Sequence, residues 1–214
     1  TIAASVYIGG KGIRAQGEPY RKSIDNLKRV RGNVSKALSK AFDIPWYDRD
    51  FVKMTSEDSG YTVDEINRDG EEISPRTKLI DAIFSNASYT SAHDAIFNAQ
   101  RKEIVKLAAN APCIIVGRCS NVVLREANIP SFDIFLYGSL EFRMKRAAEL
   151  GENKDMDLQK YVEQRDVYRS NYYKTYTKKS MGDYHDYDIC VDMSSVGTEK
   201  GIEMIISALK GILE

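Results

Sequence analysis

Three short runs, CIIV (113–116), FDIFLY (132–137) and YDICVD (187–192), constrain this chain more than anything else in it. Each is apolar at nearly every position rather than at alternate ones. A strand of that kind is buried on both faces and needs a layer of helices on each side. The intervening segments supply those helices. SAHDAIFNAQRKEIVKLAAN (91–110) sets Ala95, Ile96, Ala99, Ile104, Leu107 and Ala108 on one side, and further helices are expected over 120–127, 140–150, 158–176 and 198–214. NVSKALSKAF (33–42) has the same spacing, with Asn33 expected as its N-cap. Two earlier apolar runs, 2–8 and 44–47, complete a set of five strands. The expected fold is α/β: a five-stranded parallel sheet with helices on both faces, in one domain over 1–214. Residues 49–90 are polar and irregular, with short helices expected around 49–57 and 62–69.

Open sheets of this class bind ligands beyond the carboxyl ends of their strands. Gly9, Asp48, Gly117-Arg118 and Tyr137-Gly138 all fall there. Charge decides what kind of ligand is plausible. With 31 basic and 31 acidic residues, the chain has no global bias toward nucleic acid or a membrane surface, so an anion site must be local. Local excess exists at 11–31, where Lys11, Arg14, Arg21, Lys22, Lys28, Arg29 and Arg31 face only Glu18 and Asp25. One such segment is a poor nucleic-acid surface. No apolar run reaches the roughly 20 residues of a membrane span, and the start TIAASVYIGG does not read as a signal peptide. The three cysteines show no zinc spacing, no histidine has a ligand partner at metal spacing, and reduced, buried thiols are expected. The expected address is the cytoplasm, and a homo-oligomer stays open.

The segments IPWYDRDF, PCIIVGRCSNVVLRE, FDIFLYGSLEFRMKRA and EQRDVYRSNYYKTYTKKSMGDYHDYDICVDMSSVG resemble the bacterial cytidylate kinase-like family of P-loop nucleoside monophosphate kinases. The resemblance runs from about Ser35 to the C-terminus and is weak over 55–90. It implies a P-loop fold with a helical lid, at about 141–180, and Mg2+-ATP-dependent phosphoryl transfer to a small phosphorylated acceptor of the nucleoside monophosphate type. ATP and that acceptor are then the expected partners. Carried over by position, Asp48 would face the acceptor and Arg118 would hold its phosphate. Arg143 and Arg146 would lie at the hinge side of the lid, and Arg165, Asp166 and Arg169 would reach the transferring group. Arginine suits such a site because its planar fork stays charged and pairs bidentately with phosphate oxygens.

Two departures stand out. No G-x-x-x-x-G-K-[ST] occurs, and about 20 residues, roughly 11–31, appear inserted where the family runs directly from first strand to first helix. The phosphate loop then has three readings. Gly9, Gly10, Lys11 and Gly12 cradle phosphate; or Gly32, Asn33 and Lys36 supply an anion site at a helix N-terminus; or the loop has lost ATP and the protein is a nucleotide-binding pseudokinase with a regulatory role. The second departure is Cys119, which stands where relatives that read cytosine carry aspartate.

Overall fold

The computed structural model describes residues 2–7, 30–48, 53–56, 60–62, 66, 73–75, 92–151 and 156–213. In chain order the elements are β1 (Ile2–Tyr7), α1 (Val30–Phe42), β2 (Trp46–Tyr47), α2 (Ala92–Asn110), β3 (Cys113–Val116), α3 (Ser120–Glu126), β4 (Phe132–Tyr137), α4 (Leu140–Leu150) and α5 (Leu158–Thr177). A 3-10 turn at Tyr184–Asp186 leads into β5 (Ile189–Asp192), α6 (Met193–Val196) and α7 (Thr198–Leu213).

Helix boundaries follow local chemistry. Ser139 accepts from the Phe142 amide and starts α4, which stops at Gly151 in the left-handed region (φ 63°). Asp157 does the same for α5 through the Lys160 amide. Helix α1 differs from expectation: it begins at Val30, so Asn33 lies inside the first turn and is not its N-cap.

The strands lie in the order β2-β3-β1-β4-β5. Strands β2 and β3 are parallel, as are β4 and β5. Strand β1 runs antiparallel to both β3 and β4, pairing Tyr7 with Cys113 and Val6 with Phe132. The expectation of an all-parallel sheet is corrected at this strand. A run of apolar residues encodes burial but not direction, and an antiparallel partner satisfies the same backbone groups.

The burial of β3 shows why it lacks polar positions. Ile114 and Val116 join one core with Val34, Leu38 and Phe42 of α1 and Ile202, Ile205 and Leu209 of α7. Cys113 and Ile115 face a second core with Ile104 and Ala108 of α2 and Val123 and Leu124 of α3. Successive residues point to opposite faces, and both faces are dry. Among the described residues, no helix is long and apolar enough to cross a membrane.

The bottom of the sheet is tied by charge. Arg125 of α3 donates to a carboxylate oxygen of Asp186 at 2.8 Å and to its carbonyl at 3.1 Å, and Lys179 pairs with the same carboxylate. Asp188 accepts from the Asp133 amide at 2.6 Å, holding β5 to β4.

Truncating Leu38, which is 1% exposed, to alanine is expected to cost about 2–5 kcal/mol in chemical denaturation. Met204→Ala, on the exposed side of α7, should stay within about 0.5 kcal/mol. Burial also pushes the Cys113 thiol up to about 11 from its ordinary 9.0, and raises Tyr173 and Tyr187 as well. The protonated forms are therefore part of the folded state's stability. The Cys113 contribution is complete below about pH 9 and is lost as pH rises toward 11. Melting temperature should fall across this window, and Cys113→Ala should make the fall shallower.

Candidate functional site

Because β1 is antiparallel to both β3 and β4, β3 and β4 run parallel to each other. The carboxyl ends of β2, β3, β4 and β5 therefore meet at one edge. Asp48, Gly117-Arg118, Gly138 and Asp192 sit just past or at those ends. Helix α1 turns back into β2 through Asp43, Ile44 and Pro45, which brings the start of α1 to the same edge.

The exit from β3 is the most unusual backbone in the described chain. Gly117, Arg118 and Cys119 all have positive φ, at 78°, 56° and 55°. Left-handed backbone costs a non-glycine residue roughly 1–2 kcal/mol, and two in succession persist only where surrounding contacts hold them. Here Cys119 belongs to a buried cluster with Ile73, Val122, Tyr172 and Tyr173, and the Cys119 carbonyl receives the Val122 and Val123 amides at 3.0 Å. The turn presses Arg118 inward, leaving it 6% exposed. Its Nη1 donates to the Val116 carbonyl at 3.0 Å and stands 3.7 Å from an Asp48 oxygen. That separation is an ion pair beyond hydrogen-bond length.

Arg143 of α4 reaches back to the same edge, with Nε donating to the Gly138 carbonyl at 3.1 Å. Its Nη1 pairs with Asp166 of α5. A Cβ on Gly138 would lie 2.9 Å from the Phe142 ring, so the close approach of α4 to the end of β4 uses the missing side chain. One turn along α4, Arg146 pairs instead with Glu149 of its own helix. On α5, the Arg165 guanidinium lies 5.6 Å from the centre of the Tyr161 ring, at cation–π range, and Arg169 is partly buried.

Helix α5 is anchored along its second half. Tyr172 donates its hydroxyl to Gln100 of α2 at 3.0 Å, and Asn121 of α3 donates to the Tyr173 hydroxyl at 3.0 Å. The Tyr176 ring stacks on Phe97, centroids 4.0 Å apart. These tyrosines pack the helix down. Ile73 joins them: its amide donates to the Tyr168 carbonyl and its carbonyl accepts from Asn171 Nδ2, both at 3.2 Å. Ile73 also belongs to the same buried cluster as Cys119, so the turn of α5 that carries Arg169 and the turn that carries Arg118 border one apolar cluster. Sequence reasoning missed Ile73 and Asn171. The available signal was an asparagine in mid-helix, where that residue type is disfavoured without an outside partner.

The chain matches the model of the cytidylate kinase-like family over residues 32–195. It belongs to that family. Asp48, Arg118, Arg143, Arg146, Arg165, Asp166 and Arg169 fall within the matched range, and Gly9 to Gly12 lie before it. No curated protein matches the chain. Among solved structures it is similar to an uncharacterized protein from Eubacterium ventriosum, at 22% identity and a TM-score of 0.54, over 83% of this chain and 89% of that one. That likeness concerns fold alone.

The proposed phosphate loop divides. Gly9, Gly10, Lys11 and Gly12 lie outside the described residues. Gly32 and Asn33 fall within α1, and Lys36 is exposed on it. At the end of β5, Asp192 caps α6, accepting the Ser194 amide at 3.0 Å. The hydroxyls of Ser194 and Ser195 hold its carboxyl below the usual range.

Gly117→Ala is expected to lower stability by about 1–2 kcal/mol in denaturant melts, because the backbone there is left-handed. An unchanged midpoint would mean that the turn is not held as described.

Proposed function

We propose that the protein transfers a phosphoryl group from ATP to a small phosphorylated acceptor of the nucleoside monophosphate type. The observation that carries this reading is that Ile73, hydrogen-bonded to the arginine-bearing turn of α5, shares a buried cluster with Cys119, the residue after Arg118. Guanidinium groups brought from separate parts of the chain to one strand-end edge are what an anionic, loosely bonded transition state requires.

Arg118 would hold the acceptor phosphate. Being desolvated, it interacts more strongly with an oxyanion than a surface arginine does, and Asp48 beside it would orient the acceptor. Asp166 fixes Arg143 by a direct ion pair, which keeps that guanidinium extended across the end of β4. Arg165 and Arg169 project from the neighbouring turns of α5 and would meet the transferring group, while Arg146 adds charge at the base of α4. Here α4 and the first half of α5 act as the lid. Magnesium carried on the ATP phosphates would neutralise charge between the reacting oxygens. Such an ion keeps water and substrate oxygens as ligands and needs few protein carboxylates; among the described residues, Asp48 and Asp192 lie at this edge. Gly32, Asn33 and Lys36, at the start of α1, are the candidate contacts for the ATP phosphates.

One observation favours a second reading. Strand β1 is antiparallel to its neighbours, so Tyr7 ends at the edge opposite Arg118, and no Walker-type motif occurs in the sequence. A protein that binds a nucleotide without transferring phosphate would fit that arrangement.

A coupled ADP-release assay over the common nucleoside monophosphates tests the first reading. Turnover is expected with at least one acceptor, and Arg118→Lys, which keeps the charge and loses the fork, should lower kcat/KM by about 100-fold. Thermal stabilisation by nucleotides without turnover would support the second reading. Neither turnover nor stabilisation would remove both.

A further inference from the structure

We infer that Asn171 is a positioning residue, which acts through Ile73 to set Arg169 against Arg118. The inference rests on the proposed anion site and goes beyond it.

Ile73 is 2% exposed and belongs to a segment remote in sequence from α5, yet both of its backbone polar groups are satisfied by that helix. The amide goes to the Tyr168 carbonyl and the carbonyl takes the Asn171 side-chain amide. The two contacts bracket Arg169, one residue before it and two after. A carbonyl acceptor admits only the amide nitrogen of Asn171 as donor, so the orientation of that side chain is determined. Asparagine in the interior of a helix costs several tenths of a kcal/mol relative to alanine, and the bond to Ile73 is the compensating contact.

The Ile73 side chain lies in the buried cluster that also holds Cys119, whose left-handed backbone continues directly from Arg118. One buried residue is thus bonded to the α5 turn that carries Arg169 and shares a cluster with the residue after Arg118. The two bonds to Ile73 sit on the turn that carries Arg169 and are separate from those of Tyr172 and Tyr173, which go to Gln100 and Asn121. Asn171 therefore governs register at Arg169, whereas the tyrosines govern attachment of the helix.

The test compares wild type with Asn171→Ala, Asn171→Asp and Thr177→Ala. Thr177 bonds the Tyr173 carbonyl at the helix end and controls for loss of stability alone. Affinity for cytidine monophosphate and for inorganic pyrophosphate is measured by calorimetry, and exchange of the Ile73 amide by NMR. Both Asn171 variants should bind these anions about 10-fold more weakly and exchange the Ile73 amide faster, while Thr177→Ala leaves both readouts at wild-type values. In a double-mutant cycle, Arg169→Ala should cost much less affinity once Asn171 is already replaced. Wild-type affinity retained in both Asn171 variants, or additive effects in the cycle, would overturn the inference and leave the anion site standing. Failure of wild type to bind either probe would overturn both.

Discussion

A cation confined behind a strand end sets the terms for everything around it. Arg118 leaves a strand that is dry on both faces, and three consecutive left-handed residues turn it inward rather than toward water. A buried guanidinium is costly unless charge and hydrogen bonds compensate it, and here the compensation is shared between the Val116 carbonyl and Asp48. The carboxylate keeps partial contact with solvent at 16% exposure. In the proposed anion site, an entering oxyanion would meet a positive group whose desolvation has already occurred on folding.

The second constraint is mechanical. Helix α5 bears Arg165, Asp166 and Arg169, and it is held at three stations along its length: Asp166 by Arg143, Tyr168 and Asn171 by Ile73, Tyr172 and Tyr173 by α2 and α3. The first station draws it toward the end of β4 and the second toward the end of β3. These two strands lie on either side of β1, roughly 10 Å apart by ordinary strand spacing.

Much of this was legible in the sequence, for physical reasons that differ by element. Strand β3 and helix α4 fall where their residues predict, since uninterrupted apolar runs and the Ser139 and Gly151 punctuation act locally. The family could be read from the segments around Arg118 and along 163–197, and the match over 32–195 bears that out. The direction of β1 could not be read, because pairing direction is set by the whole chain path and leaves no trace in a six-residue apolar run. The start of α1 at Val30 was hidden for a different reason: Asn33 is an attractive cap by type, yet α1 begins three residues before it. The Ile73 contact was beyond reach, since it joins residues 98 positions apart in a region of weak resemblance.

The central claim is that Arg118 and the α5 arginines surround one oxyanion pocket. A crystal structure of the protein grown with cytidine monophosphate addresses it most directly. The phosphate is expected between Arg118 and Arg169, within hydrogen-bond distance of both guanidinium groups and with Asp48 displaced from Arg118. A phosphate bound elsewhere, with Arg118 and Arg169 directed away from each other, would contradict it.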